Sequence, residues 1–347
     1  MALAPRLFLA MVLLAPPAGA CSLVHRPFDQ PSWDSALHYV DGEALHRVDG
    51  PIDTTLADGF FLSYGEAGDL VLVAGQEGLG GDCSGDGWLR LLRGSTPVWE
   101  KAGEARVWND PGGPIAQHAG AFWRLRGTEL VRLPAAVPSD AYVRGWTPQG
   151  EPVHRAPGAI VAGAIQVPRE DVAGFEIHVA RSGQATGIAF TDGTQATLLE
   201  VAGGKVRSIT WPAGHGHGGL AWADGWYALL GDRVYRVRDG VTDLGVEGVS
   251  VGSRGGQAVV FSQEGYTVFE GTSPVAAARR VEGAWAPTAA GRDVSRPVAG
   301  AAWSDVEAGV VPPAGPSGSG TLGLAATSLL PALGAVGLAL ALRRRPS

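Results

Sequence analysis

The sequence predicts an all-β protein, a β-propeller-like repeat of about six or seven four-stranded blades, followed by one C-terminal transmembrane helix. Three features predict this: short apolar runs between Gly, Asp and Pro residues, a recurring hairpin motif, and an uncharged apolar stretch near the C-terminus. The apolar runs recur about every 8 to 12 residues, a spacing typical of all-β folds. Residues 21–311 form the predicted body, long enough for blades of about 40 residues each. Six prolines crowd residues 134–180, where we expect long loops.

The recurring hairpin is clearest in two segments of twelve residues each. Residues 122–133 (FWRLRGTELVRL) align with residues 226–237 (WYALLGDRVYRV), with aromatic residues at the start and an Arg-aliphatic pair at the end. Residues 39–48 repeat the second half, and residues 260–269 are a looser copy. A glycine at each tip tolerates a positive φ, and alternating aliphatic residues give each strand a buried face. Stacked sandwiches or another β array are the alternatives to a propeller.

The N-terminus has the pattern of a secretory signal peptide. Arg6 precedes an apolar core at residues 7–15, two prolines break that core, and the small residues 18–20 offer a cleavage site. The apolar core is too short to span a bilayer. Residues 1–20 are therefore predicted to be removed on export, which places the body in an extracytoplasmic compartment.

Cys21 follows the predicted cleavage site directly, and Cys83 is the only other cysteine in the chain. Two cysteines in an exported protein favour a disulfide, because the compartment outside the cytoplasm is oxidising. Lipidation of Cys21 is the alternative, although Ala18 stands where the lipobox of bacterial lipoproteins usually has leucine or a similar aliphatic residue. The Cys21–Cys83 disulfide is the favoured interpretation.

The C-terminal segment predicts a membrane anchor. Residues 321–342 carry no charge, and 22 residues in a helix rise about 33 Å, enough to cross a bilayer core of about 30 Å. Arg343, Arg344 and Arg345 follow at once, and such basic residues stay on the cytoplasmic side. Residues 312–320 (PPAGPSGSG) form a flexible stalk between the body and the membrane.

This stalk, apolar helix and basic tail at residues 343–347 resemble the C-terminal sorting tails of bacterial surface proteins, the myxobacterial type among them. The resemblance covers residues 312–347 only, and the cysteine of the myxobacterial signature is absent. It implies a bacterial protein of the cell envelope, whose tail is either retained in the membrane or cleaved after export.

Residues 82–87 (DCSGDG) place oxygen-bearing side chains at alternate positions, Asp82, Ser84 and Asp86, before a glycine. This pattern is the first half of a calcium loop, since calcium takes six to eight oxygen ligands and a curled loop supplies them from alternate residues. An EF-hand loop would end in a glutamate where this chain has Arg93. The segment predicts either a calcium site or a polar turn held by its cysteine.

His215 and His217 lie two residues apart in a glycine-rich segment. In a strand both imidazoles would point to one face, where they could bind a transition metal. A further ligand would have to come from elsewhere in the fold, with His118, His154 and His178 as the candidates. A solvated turn before the next strand is the alternative.

Composition and motifs exclude some functions. The net charge of −7 gives no basic face for nucleic acid. Lys101 and Lys205 are the only lysines among 27 basic residues, a bias typical of a GC-rich bacterial genome, so the arginines indicate ancestry rather than mechanism. The Gly-x-Ser-x-Gly, His-Glu-x-x-His and Cys-x-x-Cys motifs are missing, and Gly203-Gly204-Lys205 does not complete a phosphate loop.

The sequence therefore favours a binding or scaffolding protein over an enzyme. Its expected partners are the membrane, through the C-terminal helix, and an envelope protein or glycan bound by the loops of the propeller. The second hypothesis is an extracytoplasmic metal-dependent hydrolase or lyase that uses Asp82, Asp86, His215 or His217. Such an enzyme would hold a stoichiometric metal and lose activity with a chelator. The third hypothesis is a purely structural envelope component.

Overall fold

The computed structural model describes residues 29–33, 37–49, 51–78, 85–110, 112–134, 137, 141–169, 176–216, 218–254, 256–281 and 283–310. The predicted signal peptide, stalk, membrane helix and basic tail with Arg343, Arg344 and Arg345 lie outside these residues, as do Cys21 and Cys83. Within the described ranges, no helix is both long and apolar enough to cross a membrane.

The body is a seven-bladed β-propeller. Seven antiparallel sheets each contain four strands that are consecutive in the sequence, and four of these sheets gain a fifth strand from the end of the body. The predicted all-β propeller is therefore confirmed, with seven blades.

The first three blades contain twelve strands. Blade 1 consists of β1 (Asp29–Trp33), β2 (Leu37–Asp41), β3 (Ala44–Asp49) and β4 (Ile52–Asp58). Blade 2 consists of β5 (Phe60–Ala67), β6 (Leu70–Glu77), β7 (Asp86–Arg93) and β8 (Thr96–Ala102). Blade 3 consists of β9 (Ala105–Trp108), β10 (Ile115–His118), β11 (Ala121–Arg126) and β12 (Glu129–Arg132).

The remaining blades follow the same order. Blade 4 consists of β13 (Val143–Trp146), β14 (Pro152–Ala156), β15 (Ala159–Ala162) and β16 (Ile165–Pro168). Blade 5 consists of β17 (His178–Arg181), β18 (Ala185–Thr191), β19 (Gln195–Ala202) and β20 (Lys205–Pro212). Blade 6 consists of β21 (Gly218–Trp222), β22 (Trp226–Leu230), β23 (Arg233–Val237) and β24 (Val241–Glu247). Blade 7 consists of β25 (Ser250–Arg254), β26 (Gln257–Phe261), β27 (Gly265–Glu270) and β28 (Ser273–Val281).

A return segment along the rim, which we call the strap, adds strands to four blades. It consists of β29 (Ala284–Thr288), β30 (Arg296–Pro297), β31 (Ser304–Val306) and β32 (Gly309–Val310). In that order they pair with the outer strands of blades 7, 6, 5 and 4. The sequence does not predict the strap, because pairings as short as two residues leave no readable period.

The first strand of each blade lines the central channel, and the fourth lies towards the rim. First strands of neighbouring blades contact one another, as β17 contacts β21 and β21 contacts β25. All first strands run in one direction, because each blade contains four antiparallel strands. We call the end of the channel where the first strands begin the upper face, and the opposite end the lower face.

The longest connections reach the upper face. They are residues 78–85, 133–142 and 169–177, and each joins two strand ends on that side. The long loops expected within residues 134–180 are thus present, but a regular blade, blade 4, lies between them. Long loops on one face of a rigid scaffold are where binding residues concentrate.

The core lies between blades, so many strands are buried on both faces. In β6, Val71 and Val73 pack towards blade 1, whereas Leu70, Leu72 and Ala74 pack towards blade 3. Successive side chains of a strand point to opposite faces. Because both faces of β6 are buried, the side chains on both are apolar, and the sequence of the strand is a continuous apolar run.

The interface between blades 3 and 4 has the smallest buried cluster of the described residues. Four buried side chains form it, Ile115, Phe122, Val143 and Trp146, whereas thirteen form the interface between blades 5 and 6. The strap ends on blade 4 and adds no strand to blade 3. This joint therefore depends on few apolar contacts.

The tip glycines of the hairpins behave as predicted in three of four copies. Gly42, Gly127 and Gly231 have φ values of 61°, 56° and 65°. Asp232 follows with φ of 63°, so Gly231 and Asp232 form the type I′ turn that suits a two-residue hairpin loop. The prediction is wrong for Gly265, which lies inside β27 and has no positive φ.

The best sequence match pairs hairpins that are not equivalent. Residues 226–237 form the second and third strands of blade 6, and residues 39–48 form the same hairpin of blade 1. Residues 122–133, however, lie in the third and fourth strands of blade 3. β12 is mostly exposed whereas β22 and β23 are mostly buried, so the aligned pattern is that of a two-residue hairpin turn and gives neither burial nor the position within a blade.

Candidate binding site in the central channel

A cavity of about 390 Å³ lies in the central channel. First strands from six of the blades, with the residues next to them, form its wall. Its lining includes six side chains that carry or can take a charge: Arg106, Asp110, Arg144, Glu176, His178 and Arg181.

Arg106 and Arg144 occupy the same position in neighbouring blades. Each is the second residue of a first strand, β9 or β13, and both therefore lie near the upper face. Trp108 and Trp146 follow two residues later, and their rings meet edge to face with centroids 5.9 Å apart. A repeated Arg-x-Trp segment thus places two guanidinium groups at the upper end of the channel and anchors each strand with a tryptophan.

The ring of Tyr142 lies against both of these arginines. The guanidinium carbon of Arg106 and that of Arg144 are each 4.4 Å from the centroid of the ring. Tyr142 is 55% exposed and is not part of the cavity lining, so the contact lies at the protein surface next to Arg106 and Arg144 of that lining. The attraction between a cation and an aromatic face holds both guanidinium groups in place.

Burial and mutual repulsion act on the arginines. Burial, together with repulsion from Arg144, lowers the pKa of Arg106 to about 10, and the carboxylate of Glu176 opposes this shift. Burial likewise lowers the pKa of Arg144 and of Arg155, with Glu176 again opposing. All three arginines are protonated at neutral pH, because guanidinium groups lose their proton only far above it.

Two guanidinium N–H donors of these three arginines have no hydrogen-bond partner in the described part of the chain. They are the buried Nη1 of Arg106 and the buried Nε of Arg155. A buried donor without an acceptor costs free energy of folding. We call Arg106, Tyr142, Arg144, Arg155 and Glu176 the arginine mouth.

The charges nearer the lower face are paired. Arg181 donates a hydrogen bond of 2.5 Å to the carboxylate of Asp110, and Nη2 of Arg124 lies 3.5 Å from the same oxygen. Arg181 also donates to the carbonyl of Thr147 at 2.9 Å. Burial raises the pKa of Asp110, and the two arginines oppose that shift. This cluster joins blades 3, 4 and 5, and it is a structural contact.

The predicted calcium loop lies mostly outside the described residues. Asp82 and Ser84 are among those that the structure does not describe, and Asp86 is the exposed first residue of β7. The calcium prediction therefore stays a prediction, and so does the Cys21–Cys83 disulfide.

The histidine pair is described in part. His217 lies outside the described residues, and the exposed His215 lies over Gly193, where an added Cβ would overlap its imidazole. His178 lies against Gly218 in the same way, so it is the proposed third ligand nearest to this segment. Across the described ranges, no three His, Cys, Asp or Glu side chains come together as a metal site.

The other two candidate histidines lie elsewhere. A ring nitrogen of His118 is 3.0 Å from the carbonyl oxygen of Ala102, close to the rim. His154 is buried in β14, and burial lowers its pKa. Neither lines the channel cavity.

The sequence interpretation missed the arginine mouth because it attributed the arginines to composition. A repeated Arg-x-Trp pattern in the sequence could have revealed two residues of the arginine mouth. The segments ARVW and VRGW place Arg106 and Arg144, with their tryptophans, 38 residues apart. That spacing is close to one blade. The order of the blades in the propeller was still needed to show that the two arginines are neighbours.

No protein-family model matches this chain, and no curated protein matches it. The function of the channel is therefore inferred from its own side chains.

Proposed function

We propose that this protein is a binding protein of the cell envelope and that the arginine mouth is its ligand site. The body is held outside the membrane by the C-terminal anchor, and the propeller presents the upper face of the channel to a ligand. This is the binding or scaffolding function expected from the sequence, with a site assigned to it.

The observation that supports the proposal is the partial burial of three cationic side chains at the upper face. Removing charged groups from water is costly unless they are paired. Near the lower face, Asp110 pairs with Arg181 and Arg124. In the arginine mouth, buried donors of Arg106 and Arg155 have no partner among the described residues, and Nε of Arg124 in the lower cluster has none either. Perturbed charged groups in a cavity are typical of binding sites.

The size of the cavity agrees with a small ligand. Pockets that bind small molecules have volumes of about 300 to 1,000 Å³, and the channel cavity has about 390 Å³. Its wall consists of strands from six blades, so the site is supported by regular structure rather than by a single loop.

The envelope location rests on segments that the structure does not describe. Residues 1–20 have the pattern of an export signal, and residues 321–342 with Arg343 to Arg345 have the pattern of an anchor. The two patterns agree, because a chain exported at its N-terminus and held at its C-terminus leaves the body outside.

The test is a thermal-shift experiment on the full-length protein with four classes of small molecule: organic acids, neutral sugars, amines and short peptides. A compound that binds the folded state raises the melting temperature in a saturable way. At least one class is expected to do so, and the rise should be lost in Arg144→Gln. Arg279→Gln is the control, because the Arg279 side chain is 61% exposed and pairs with Glu264 at the surface.

Two results would contradict the proposal. In one, no class raises the melting temperature of the wild-type protein. In the other, a class does so equally well in the wild type and in Arg144→Gln, so that its site lies outside the arginine mouth.

A further inference from the structure

We infer that the ligand of the arginine mouth is a small molecule carrying an oxyanion, that is, a carboxylate, phosphate or sulfate group. This inference rests on the proposed ligand site and gives it a chemical class. Four features of the arginine mouth support it: the excess of positive charge, the buried N–H donors without a hydrogen-bond partner, the ring of Tyr142 and the carboxylate of Glu176.

The charge balance of the arginine mouth is positive. Among the described residues, Glu176 is the carboxylate that attracts Arg106, Arg144 and Arg155. Arg106 and Arg144, which line the cavity with Glu176, thus exceed it by one charge among the described residues. The chain as a whole has a net charge of −7, so this positive region differs from the rest of the protein. A cleft lined by one sign of charge concentrates ions of the opposite sign.

The donors suit an oxyanion in particular. A guanidinium presents several N–H groups in a planar fork that matches the two oxygens of a carboxylate or phosphate. Arg106 and Arg144 line the cavity, and Nη1 of Arg106 is buried without a hydrogen-bond partner in the described residues. A neutral ligand could accept hydrogen bonds from these N–H groups, but it would not neutralise the positive charge of the guanidinium groups.

Tyr142 supplies a second surface beside these charges. Its ring contacts the guanidinium groups of Arg106 and Arg144, and about half of the side chain stays exposed. The ring therefore holds both arginines in position and leaves an apolar area next to them. A small organic acid, with an apolar part next to its charged group, fits this combination.

Glu176 is a carboxylate of the chain itself in the same cavity. Because it attracts all three arginines, it competes with any oxyanion that enters. Removing its charge while keeping its shape, in Glu176→Gln, should therefore tighten the binding of an oxyanion. A structural role for Glu176 alone would not produce this gain.

The experiment is isothermal titration of the full-length protein with inorganic phosphate, sulfate and succinate. Succinamide and putrescine serve as the neutral and cationic counterparts, and a neutral sugar is included. An oxyanion is expected to bind while succinamide, putrescine and the sugar do not. The dissociation constant should rise about 10-fold or more in Arg106→Gln and Arg144→Gln, and it should fall in Glu176→Gln. It should stay unchanged in Arg279→Gln.

Folding of each variant is checked by its melting temperature and near-UV circular dichroism. If Arg106→Gln and Arg144→Gln do not fold, Arg144→Lys and Glu176→Gln replace them. Lysine keeps the charge without the planar fork, so it should weaken binding less than glutamine. The oxyanion that binds most tightly shows whether the source is a carboxylate, a phosphate or a sulfate.

The outcomes separate the two proposals. If the sugar or putrescine binds and its binding depends on Arg144, the ligand site stands and the oxyanion class is overturned. If oxyanions bind with the same affinity in wild type, Arg144→Lys and Glu176→Gln, the inference is overturned because they bind elsewhere. If no compound binds, the proposed function fails together with the inference.

Discussion

Trp285 of the strap donates a hydrogen bond of 3.3 Å to the carboxylate of Asp53 in blade 1, across the joint between the last blade and the first. Tyr39 donates to the same carboxylate, and Nδ1 of His46 lies 2.9 Å from its other oxygen. The Asp53 side chain is only 4% exposed. Among the described residues, blades 1 and 7 exchange no strand, and this buried acceptor, the aromatic side chains around it and the ion pairs of Arg280 with Asp41 and Asp53 join the two blades.

Replacing Asp53 with alanine should open this joint. The donors of Tyr39 and Trp285 would lose their shared acceptor, and we expect the free energy of unfolding to fall by about 3 kcal/mol. Denaturant unfolding measures the change, with Asp49→Ala as control because the Asp49 side chain is 81% exposed. Equal losses in the two variants would show that Asp53 does not hold the ring closed.

Trp146→Ala should weaken the joint between blades 3 and 4. Trp146 is one of only four buried residues in that cluster, and removing a buried tryptophan costs about 3 to 5 kcal/mol. Hydrogen exchange should become faster in β11 and β14, while amides of blade 6 keep their protection. A uniform loss of protection in all blades would contradict a local weakness at this joint.

The protein should lose stability in alkaline solution. Burial raises the pKa of Tyr39 and of Tyr227 above the ordinary tyrosine value, and hydrogen bonds to Asp53 and Asp224 add to the shift. Above about pH 10 the unfolded chain releases protons that the folded chain keeps. The free energy of unfolding should therefore be unaffected by these groups below pH 10 and should fall as the pH rises further.

The slope with which the free energy of unfolding falls with pH identifies the side chains that cause the fall. Each buried tyrosine contributes about 1.4 kcal/mol per pH unit. The variants Tyr39→Phe and Tyr227→Phe should each have a shallower slope in denaturant unfolding between pH 10 and 12. An unchanged slope in both variants would assign the alkaline effect to other groups.

The C-terminal segment should hold the protein in the membrane. We expect the full chain to sediment with membranes and a chain ending at Val310 to appear in the soluble extracytoplasmic fraction. If the shortened chain still sediments, Cys21→Ala shows whether a lipid at Cys21 is the anchor. Sedimentation of the shortened Cys21→Ala chain would contradict both predicted anchors.

Local sequence patterns predicted the strands well but not their place in the ring. The segments 39–48, 226–237 and 260–269 are predicted as hairpins, and they lie in β2–β3, β22–β23 and β26–β27. The match of residues 122–133 to residues 226–237 failed to give the position within a blade, because both hairpins have a two-residue turn with alternating aliphatic residues on either side. The position within a blade depends on packing between blades, which no local pattern records.

The candidate site was harder to predict than the fold. Arg106, Arg144 and Arg155 come from two blades, and Glu176 lies just before a third. The packing of three consecutive blades brings them together. The metal motifs, by contrast, were visible as short segments, and only Asp86 and His215 of them lie in the described part of the chain.

A crystal structure of the protein with its tightest-binding oxyanion is the decisive test of the arginine mouth as the ligand site. We expect the oxyanion in the arginine mouth, with its oxygens about 2.7 to 2.9 Å from guanidinium nitrogens of Arg106 and Arg144. An oxyanion bound only outside the channel, with no contact to either arginine, would contradict it.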